Sequence, residues 1–263
     1  MIIIIYMRKS PLEPKAVEVA ILGSGDAFAS HGRFQSGYII DSPDCRILME
    51  AGPTALCAMK RMDFKPADID MILVSHLHGD HFGGLPFFLL EYTYESPRRK
   101  PLTIVGPRHL EERTWLLFRT MFPGTKPDLE RLLSKLRFVV LEPGSDEKIG
   151  AIRIRSMRTP HMKPDVSLAY RIAVGGKSIA FSGDSGWTDQ MVSFVAGADL
   201  FLCECTYFES TQLDFHMNYP LLDANHERFE VRRMVLTHVG REVLDRGQDV
   251  KLEMAHDGMR ITV

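Results

Sequence analysis

The sequence predicts an α/β protein in which two β-rich halves, each flanked by helices, form one sandwich-type domain. Three observations carry that expectation. Short apolar runs ending in turn residues alternate with stretches of helical periodicity along most of the 263 residues. A block of strand-like segments from Arg137 to Asp184 stands between an earlier and a later group of mixed elements. No repeat, low-complexity tract or Pro/Gly-rich linker divides the chain, whose length suits one large domain with ample core.

The elements follow in order. "VEVAILGSGD" (Val17–Asp26) is a strand running into a glycine turn, and "YIID" and "RILMEAG" are further short strands. "PTALCAMKRM" has helical periodicity, and "DMILVSH" is a brief, wholly apolar strand. "LPFFLLEYTYES" predicts a buried helix, "PLTIVGP" a strand, and "RHLEERTWLLFRTMF" a helix with apolar residues three and four apart. "FPGTKPDLERLLSKL", with two prolines and a glycine, predicts a loop and a short helix. The strand block comprises "RFVVLEPG", "EKIGAIRIRSMRTPH", "SLAYRIAVGG" and "KSIAFSGD". A helix over Gly186–Ala196, the strand "DLFLCEC", a helix near Tyr219–Phe229 and the strand "RRMVLTH" come next. The tail "VKLEMAHDGMRITV" predicts a closing strand pair around the turn Asp257-Gly258. Residues 1–16 are taken as an N-terminal extension and 17–263 as the domain.

Composition sets bounds. The chain is 45% hydrophobic and 25% charged, with a net charge of −2, so nothing global attracts nucleic acid or an anionic membrane. Four cysteines without framework spacing point to a reduced, cytoplasmic setting. "MIIIIYMRKS" is too short for a signal peptide or a membrane span and is taken as an extra edge strand or a mobile extension. A small-molecule substrate is expected, extended nucleic acid and membrane are not, and a homodimer is compatible with the sequence.

The most informative stretch is "SHLHGDHFGG" (Ser75–Gly84), with three histidines and an aspartate in six positions. Neutral imidazoles gain little from one another, and one carboxylate cannot partner three of them; a metal can. Four strand-like runs each end on a residue able to bind metal: His76, His161, Asp184 and His238. Strand ends converge at one mouth in α/β sheets. With His78, Asp80 and His81 the set numbers seven, too many for one tetrahedral zinc and suited to two zincs sharing a carboxylate. Manganese or iron could replace zinc. His109, His226 and His256 are taken as ordinary residues.

These motifs resemble the metallo-β-lactamase superfamily: "SHLHGDH" with its Gly83-Gly84 exit, "TPH" at His161, "FSGDS" around Asp184 and "LTH" at His238, in order over nearly the whole chain. The resemblance implies an αββα sandwich of two mixed β-sheets flanked by helices, with metals in the cleft between the sheets. It implies one metal on His76, His78 and His161, another on Asp80, His81 and His238, and Asp184 as the bridge. The diiron flavoproteins of the superfamily usually carry glutamate at the position of His78, which favours a zinc hydrolase here.

A finer resemblance is to the ribonuclease Z branch and its phosphodiesterase relatives. It rests on "ILGSGDAFASHGRFQSGYII" and "DLFLCECTYFES…HMN". By that match His216 is the candidate proton donor to the leaving alkoxide, and Asp80 both binds metal and orients an attacking metal-bridging hydroxide. His31 and Arg33 lie in the first loop, within reach of substrate or simply solvated. Ribonuclease Z proper usually has a long Gly/Pro-rich arm that grips tRNA, where this chain has room only for a strand, turn and strand between Tyr170 and Gly183. Small or cyclic phosphodiesters, including cyclic nucleotides, are therefore expected over tRNA 3′ processing. The alternative is a lactone, thioester or aryl-sulfate hydrolase on the same metals, and a lesser one a non-catalytic metal-binding sensor.

Other features have plainer readings. Arg153, Arg155 and Arg158, and the run Arg98, Arg99 and Lys100, are taken as solvated faces rather than an RNA track. "GSGDAF" fails as a dinucleotide loop because Phe28 stands at the third small position and no helix start follows. Cys203 and Cys205 are taken as core residues on opposite sides of their strand, with Glu204 as a candidate support for the site.

Overall fold

The computed structural model describes residues 16–125, 132–209 and 214–263. The N-terminal extension, and the middle of the segment expected to hold a short helix before Leu136, lie outside the described residues.

Two mixed sheets face each other. The first runs in the order β13-β1-β2-β3-β4-β5-β6, with β1 Glu18–Gly23, β2 Gly37–Asp41, β3 Arg46–Met49, β4 Met71–Leu73, β5 Leu102–Gly106, β6 Leu136–Val140 and β13 Arg260–Thr262. The second runs β12-β11-β10-β9-β8-β7, with β7 Asp146–Ile149, β8 Ile152–Arg158, β9 Leu168–Val174, β10 Lys177–Phe181, β11 Leu200–Glu204 and β12 Met234–Thr237. The alternation along each strand explains the layers, because successive side chains leave opposite faces. In β1, Val19 and Ile21 enter the core between the sheets, whereas Ala20 and Leu22 face the outer helices. In β11, Leu200 and Leu202 point inward and Phe201 and Cys203 outward.

Each outer face is covered. Helices α1 Ala55–Arg61, α3 Leu85–Tyr94 and α4 Leu110–Met121 pack on the first sheet, and α2 Gly79–Phe82 is the short turn that carries the histidine motif. Helices α5 Asp189–Val195, α6 Tyr219–Asn225 and α7 Arg241–Asp245 cover the second. Thr188 and Asn218 cap α5 and α6 by accepting from Gln190 and Leu221 amides. The Thr188 cap explains why α5 begins later than Gly186, whereas α6 begins at Tyr219 as expected and ends at Asn225, where a 3-10 turn at His226–Phe229 continues it. The layers are thus helix, sheet, sheet, helix, as expected. No described helix is long and apolar enough to cross a membrane.

Two expectations need correction. The tail is not a closing hairpin: Met254 bridges Leu236 beside the second sheet, whereas Arg260–Thr262 pairs with β1 in the first. The Asp257-Gly258 turn carries the chain across because the Asp257 carboxylate accepts from the Ser24 amide and hydroxyl and from the Phe34 amide, at 2.7–2.9 Å. Arg98 is not solvated. It is 4% exposed, lies against the Tyr92 ring and donates to the carbonyls of Ile69 and Pro101.

Strands β8, β10, β11 and β12 run the same way, so their carboxyl ends share one edge. The β4 end joins them, with the Leu168 amide donating to the Ser75 carbonyl and the Tyr170 hydroxyl to that of Val74.

Candidate metal centre

At that edge the chain turns abruptly after each strand. Gly183 holds φ at +57°, and a side chain there would press on the Leu168 carbonyl oxygen, so the "SGD" turn that delivers Asp184 requires glycine. His238, immediately after β12, itself adopts the left-handed region at φ 48°, a costly conformation of the kind that collects at functional sites.

The seven residues come together as two groups that share Asp184. One comprises His76, His78, His161 and Asp184, the other Asp80, His81, Asp184 and His238, and within each the ligand atoms lie within 4.8 Å of one another. Asp184 Oδ2 is 3.7 Å from His76 Nε2, 3.7 Å from His161 Nε2 and 3.5 Å from His238 Nε2. Its other oxygen is 3.2 Å from His81 Nε2. Asp80 Oδ2 lies 3.1 Å from His81 Nε2 and 3.3 Å from His238 Nε2.

The opposite ring nitrogens are held from behind, which sets each tautomer. His161 Nδ1 donates to the Phe215 carbonyl at 2.9 Å. His81 Nδ1 meets Glu50 Oε2 at 2.6 Å. His76 Nδ1 lies 3.0 Å from Ser75 Oγ, whose proton goes to Glu50 at 3.1 Å. His238 Nδ1 lies 2.9 Å from Thr206 Oγ1, whose proton goes to Glu204 at 2.8 Å. A buried carboxylate behind a hydroxyl thus supports one histidine on each side, and the Nε2 lone pairs are left facing the centre.

A cation fits the space they face. His76 Nε2, His81 Nε2 and Asp184 Oδ1 are buried without a hydrogen-bond partner. Leaving such atoms unsatisfied costs about 1–3 kcal/mol each. Burial opposes protonating His81, yet the charges of Asp184, Asp80 and Glu50 override it and hold the imidazolium well above its ordinary range. That surplus of negative charge suits a divalent cation as well as a proton. Burial keeps His76, His78 and His161 below their usual values, and therefore neutral, as ligation requires. Imidazole and carboxylate donors suit zinc, manganese or iron.

His216 stands beside the two groups, its ring 4.7 Å from that of His161 and 5.6 Å from that of His238. Its Nδ1 is 2.7 Å from Glu204 Oε1, and Glu204 is fully buried, also accepting the Ser185 amide at 2.7 Å. Burial depresses the His216 imidazolium, but the Glu204 charge and hydrogen bond outweigh it and push the group up to about 9.

Several candidates lie elsewhere. Arg33 donates to Ser24 Oγ and the Ala255 carbonyl, tying its loop to the tail, and His31 Nε2 pairs with Asp245 at 2.8 Å. His109, His226 and His256 belong to neither metal-binding group. Cys203 and Cys205, expected on opposite sides, pack in the same outer cluster, as residues two apart on a strand must. Arg153 pairs with Asp146 on the surface. Sequence reasoning missed Glu50. It follows the end of β3 as a lone glutamate without a motif, and only the fold sets it behind His81.

A sequence profile of the family described as "Anti-Pycsar protein Apyc1" matches residues 17–259. The chain is 25% identical to ribonuclease Z of Clostridium novyi over 277 residues, covering 85% of this chain and 89% of that protein. The fold is similar to that of the metallo-β-lactamase fold protein YhfI from Bacillus subtilis, with a TM-score of 0.74 and 21% identity over 94% of this chain and 100% of that one. It is also similar to a diphosphatase from the PhnP family, with a TM-score of 0.75 and 14% identity over 94% and 98% of the two chains.

Proposed function

The chain belongs to the Anti-Pycsar protein Apyc1 family, within the ribonuclease Z-like branch of the metallo-β-lactamase superfamily, and on that premise we propose that it is a metal-dependent phosphodiesterase acting on a small or cyclic phosphodiester. In this reading residues 17–263 act as one hydrolase domain. His76, His78 and His161 would hold one cation and Asp80, His81 and His238 a second, with Asp184 available to both, zinc as the expected metal and manganese or iron as substitutes. Such a pair of cations supplies an activated water and neutralises charge developing on a phosphoryl group.

The chain's own residues divide the remaining work. Asp80 orients the attacking water as well as binding metal. His216, with Nδ1 committed to Glu204, is left Nε2 for giving a proton to the departing oxygen. The His216–Glu204 pair is the observation that carries the phosphodiesterase reading. An alkoxide leaving phosphorus needs a proton, whereas one leaving a lactone can be held by metal. The β9–β10 hairpin supports a small substrate: Val174 and Lys177 are joined by Gly175-Gly176 alone, both at positive φ, which leaves no place in that hairpin for a tRNA-gripping arm.

The test separates proton donor from ligands. His216→Ala should retain both metals but lose about 10²–10⁴-fold in turnover on a diester with an alkyl alcohol leaving group. On an activated aryl diester, whose phenolate departs unaided, it should lose far less. Loss of metal, or equal damage to both substrates, would remove His216 as the acid. Faster cleavage of a lactone, thioester or aryl sulfate than of any phosphodiester would favour the alternative hydrolase instead.

A further inference from the structure

Two fully buried tyrosines reach from one sheet to the other at the edge that gathers the ligands. Tyr38, on β2 of the first sheet, sets its hydroxyl 2.7 Å from Thr237 Oγ1, at the end of β12 in the second. Tyr170, on β9 of the second sheet, donates at 2.7 Å to the carbonyl of Val74, the residue after β4 in the first. Each bond falls just short of a histidine: His238 follows Thr237, and His76 stands two residues beyond Val74.

These hydroxyls are not needed to fill space. Both rings belong to the core between the sheets, where Tyr38 lies 5.4 Å from Phe181, and a phenylalanine would fill the same volume. A buried hydroxyl is costly without a partner, and each of these finds its partner on the opposite sheet. What each holds is a strand end that leads into the site. His238 takes φ 48°, and the chain is fixed from the first sheet on both sides of it: Thr237 by Tyr38, and the Val239 amide by the Ser24 carbonyl at 3.0 Å. In the other direction, Tyr170 holds Val74, and the Leu168 amide holds the Ser75 carbonyl at 3.1 Å. Each ligand group draws on both sheets. Asp80 and His81 come from the β4 end and meet His238, whereas His76 and His78 come from the same end and meet His161. The separation of the sheets at this edge therefore sets the separation of the ligands.

We propose that Tyr38 and Tyr170 are positioning residues for the two cation sites, Tyr38 for the group that contains His238 and Tyr170 for the group that contains His76. The inference rests on the reading of two cations that share Asp184. Each hydroxyl acts through the strand end it holds, by fixing how far the sheets stand apart where that strand delivers its histidine. Burial pushes both phenols above their ordinary range, so each remains a neutral hydroxyl able to donate.

Tyr38→Phe and Tyr170→Phe keep their rings, so both variants should fold. Zinc-loaded chains are titrated with a competing chromophoric chelator. In Tyr38→Phe one bound zinc should be held about tenfold more weakly and the other within about twofold of wild type, and Thr237→Val should do the same. His238→Ala leaves only the His76 group intact. On that background Tyr38→Phe should change the remaining affinity by no more than about twofold, whereas Tyr170→Phe should weaken it about tenfold. A second readout needs no metal. In the metal-free chain the Cys205 amide, which donates to the Thr237 carbonyl at 2.9 Å, should exchange its hydrogen faster in Tyr38→Phe. The Leu168 amide should do so in Tyr170→Phe. If that exchange pattern appears but wild type binds fewer than two zinc ions, the hold on the strand ends stands and the two-cation reading falls. Equal weakening of both zinc ions, or two zinc ions whose affinities neither variant changes, would overturn the assignment.

Discussion

Glu204 shows how the proposed ligands and the proposed proton donor are held from one residue behind. One oxygen holds His216, and the other takes the proton of Thr206, whose hydroxyl in turn receives His238 Nδ1. Ser75 and Glu50 repeat the device behind His76 and His81. The pH consequence can be worked out. A group that acts by giving a proton works below its pKa and fails as pH rises through it, and the Glu204 charge is what pushes His216 up to about 9. Glu204→Gln should therefore shift the alkaline fall in alkyl-diester turnover to lower pH, and leave the aryl-diester profile without a matching shift. A pH–rate comparison of the two substrates checks this; an unmoved alkaline limb would mean that His216 does not supply the proton. Glu204 was legible from its place between two core cysteines on a strand. Glu50 was not, because a lone glutamate after "RILM" carries no motif until the fold sets it 2.6 Å from His81.

Strand ends, rather than strands, do the work at the scale of elements. The hexad and the residues after β8, β10 and β12 were readable because each follows a short apolar run, and a turn after such a run can only point at the sheet's edge. The tail was misread for the complementary reason. Asp257-Gly258 has the composition of a hairpin turn, but its carboxylate is spent on Ser24 and Phe34 from a distant part of the chain, which no local pattern reveals. The same bonds give a stability prediction. Asp257→Ala strands the Ser24 and Phe34 amides and should cost about 2–4 kcal/mol. That lowers the melting temperature by roughly 5–10 °C for a chain of this size. Metal content should be unchanged, since neither residue is a ligand. A shift of less than a degree in a calorimetric scan would show that the turn is not held this way.

Across the whole molecule, two mixed sheets bury one core between them and a second and third core under the helices, which leaves a single edge where strands from both sheets deliver charge. The helix–sheet–sheet–helix layering was visible as two β-rich halves without a linker. The direction of the tail strand and the burial of Arg98 were not, since both depend on contacts far apart in sequence. Seven ligand-type side chains, three unsatisfied buried atoms and a surplus of carboxylates at one edge suit divalent metal, and their division into two groups that share Asp184 supports the proposal of two cations. The most direct test is the metal content of the purified chain after zinc loading and desalting, measured by plasma mass spectrometry beside Asp184→Ala. The expected result is close to two zinc ions per wild-type chain, with both sites weakened in the variant because Asp184 serves each. A folded wild-type chain that retains no zinc would contradict the account.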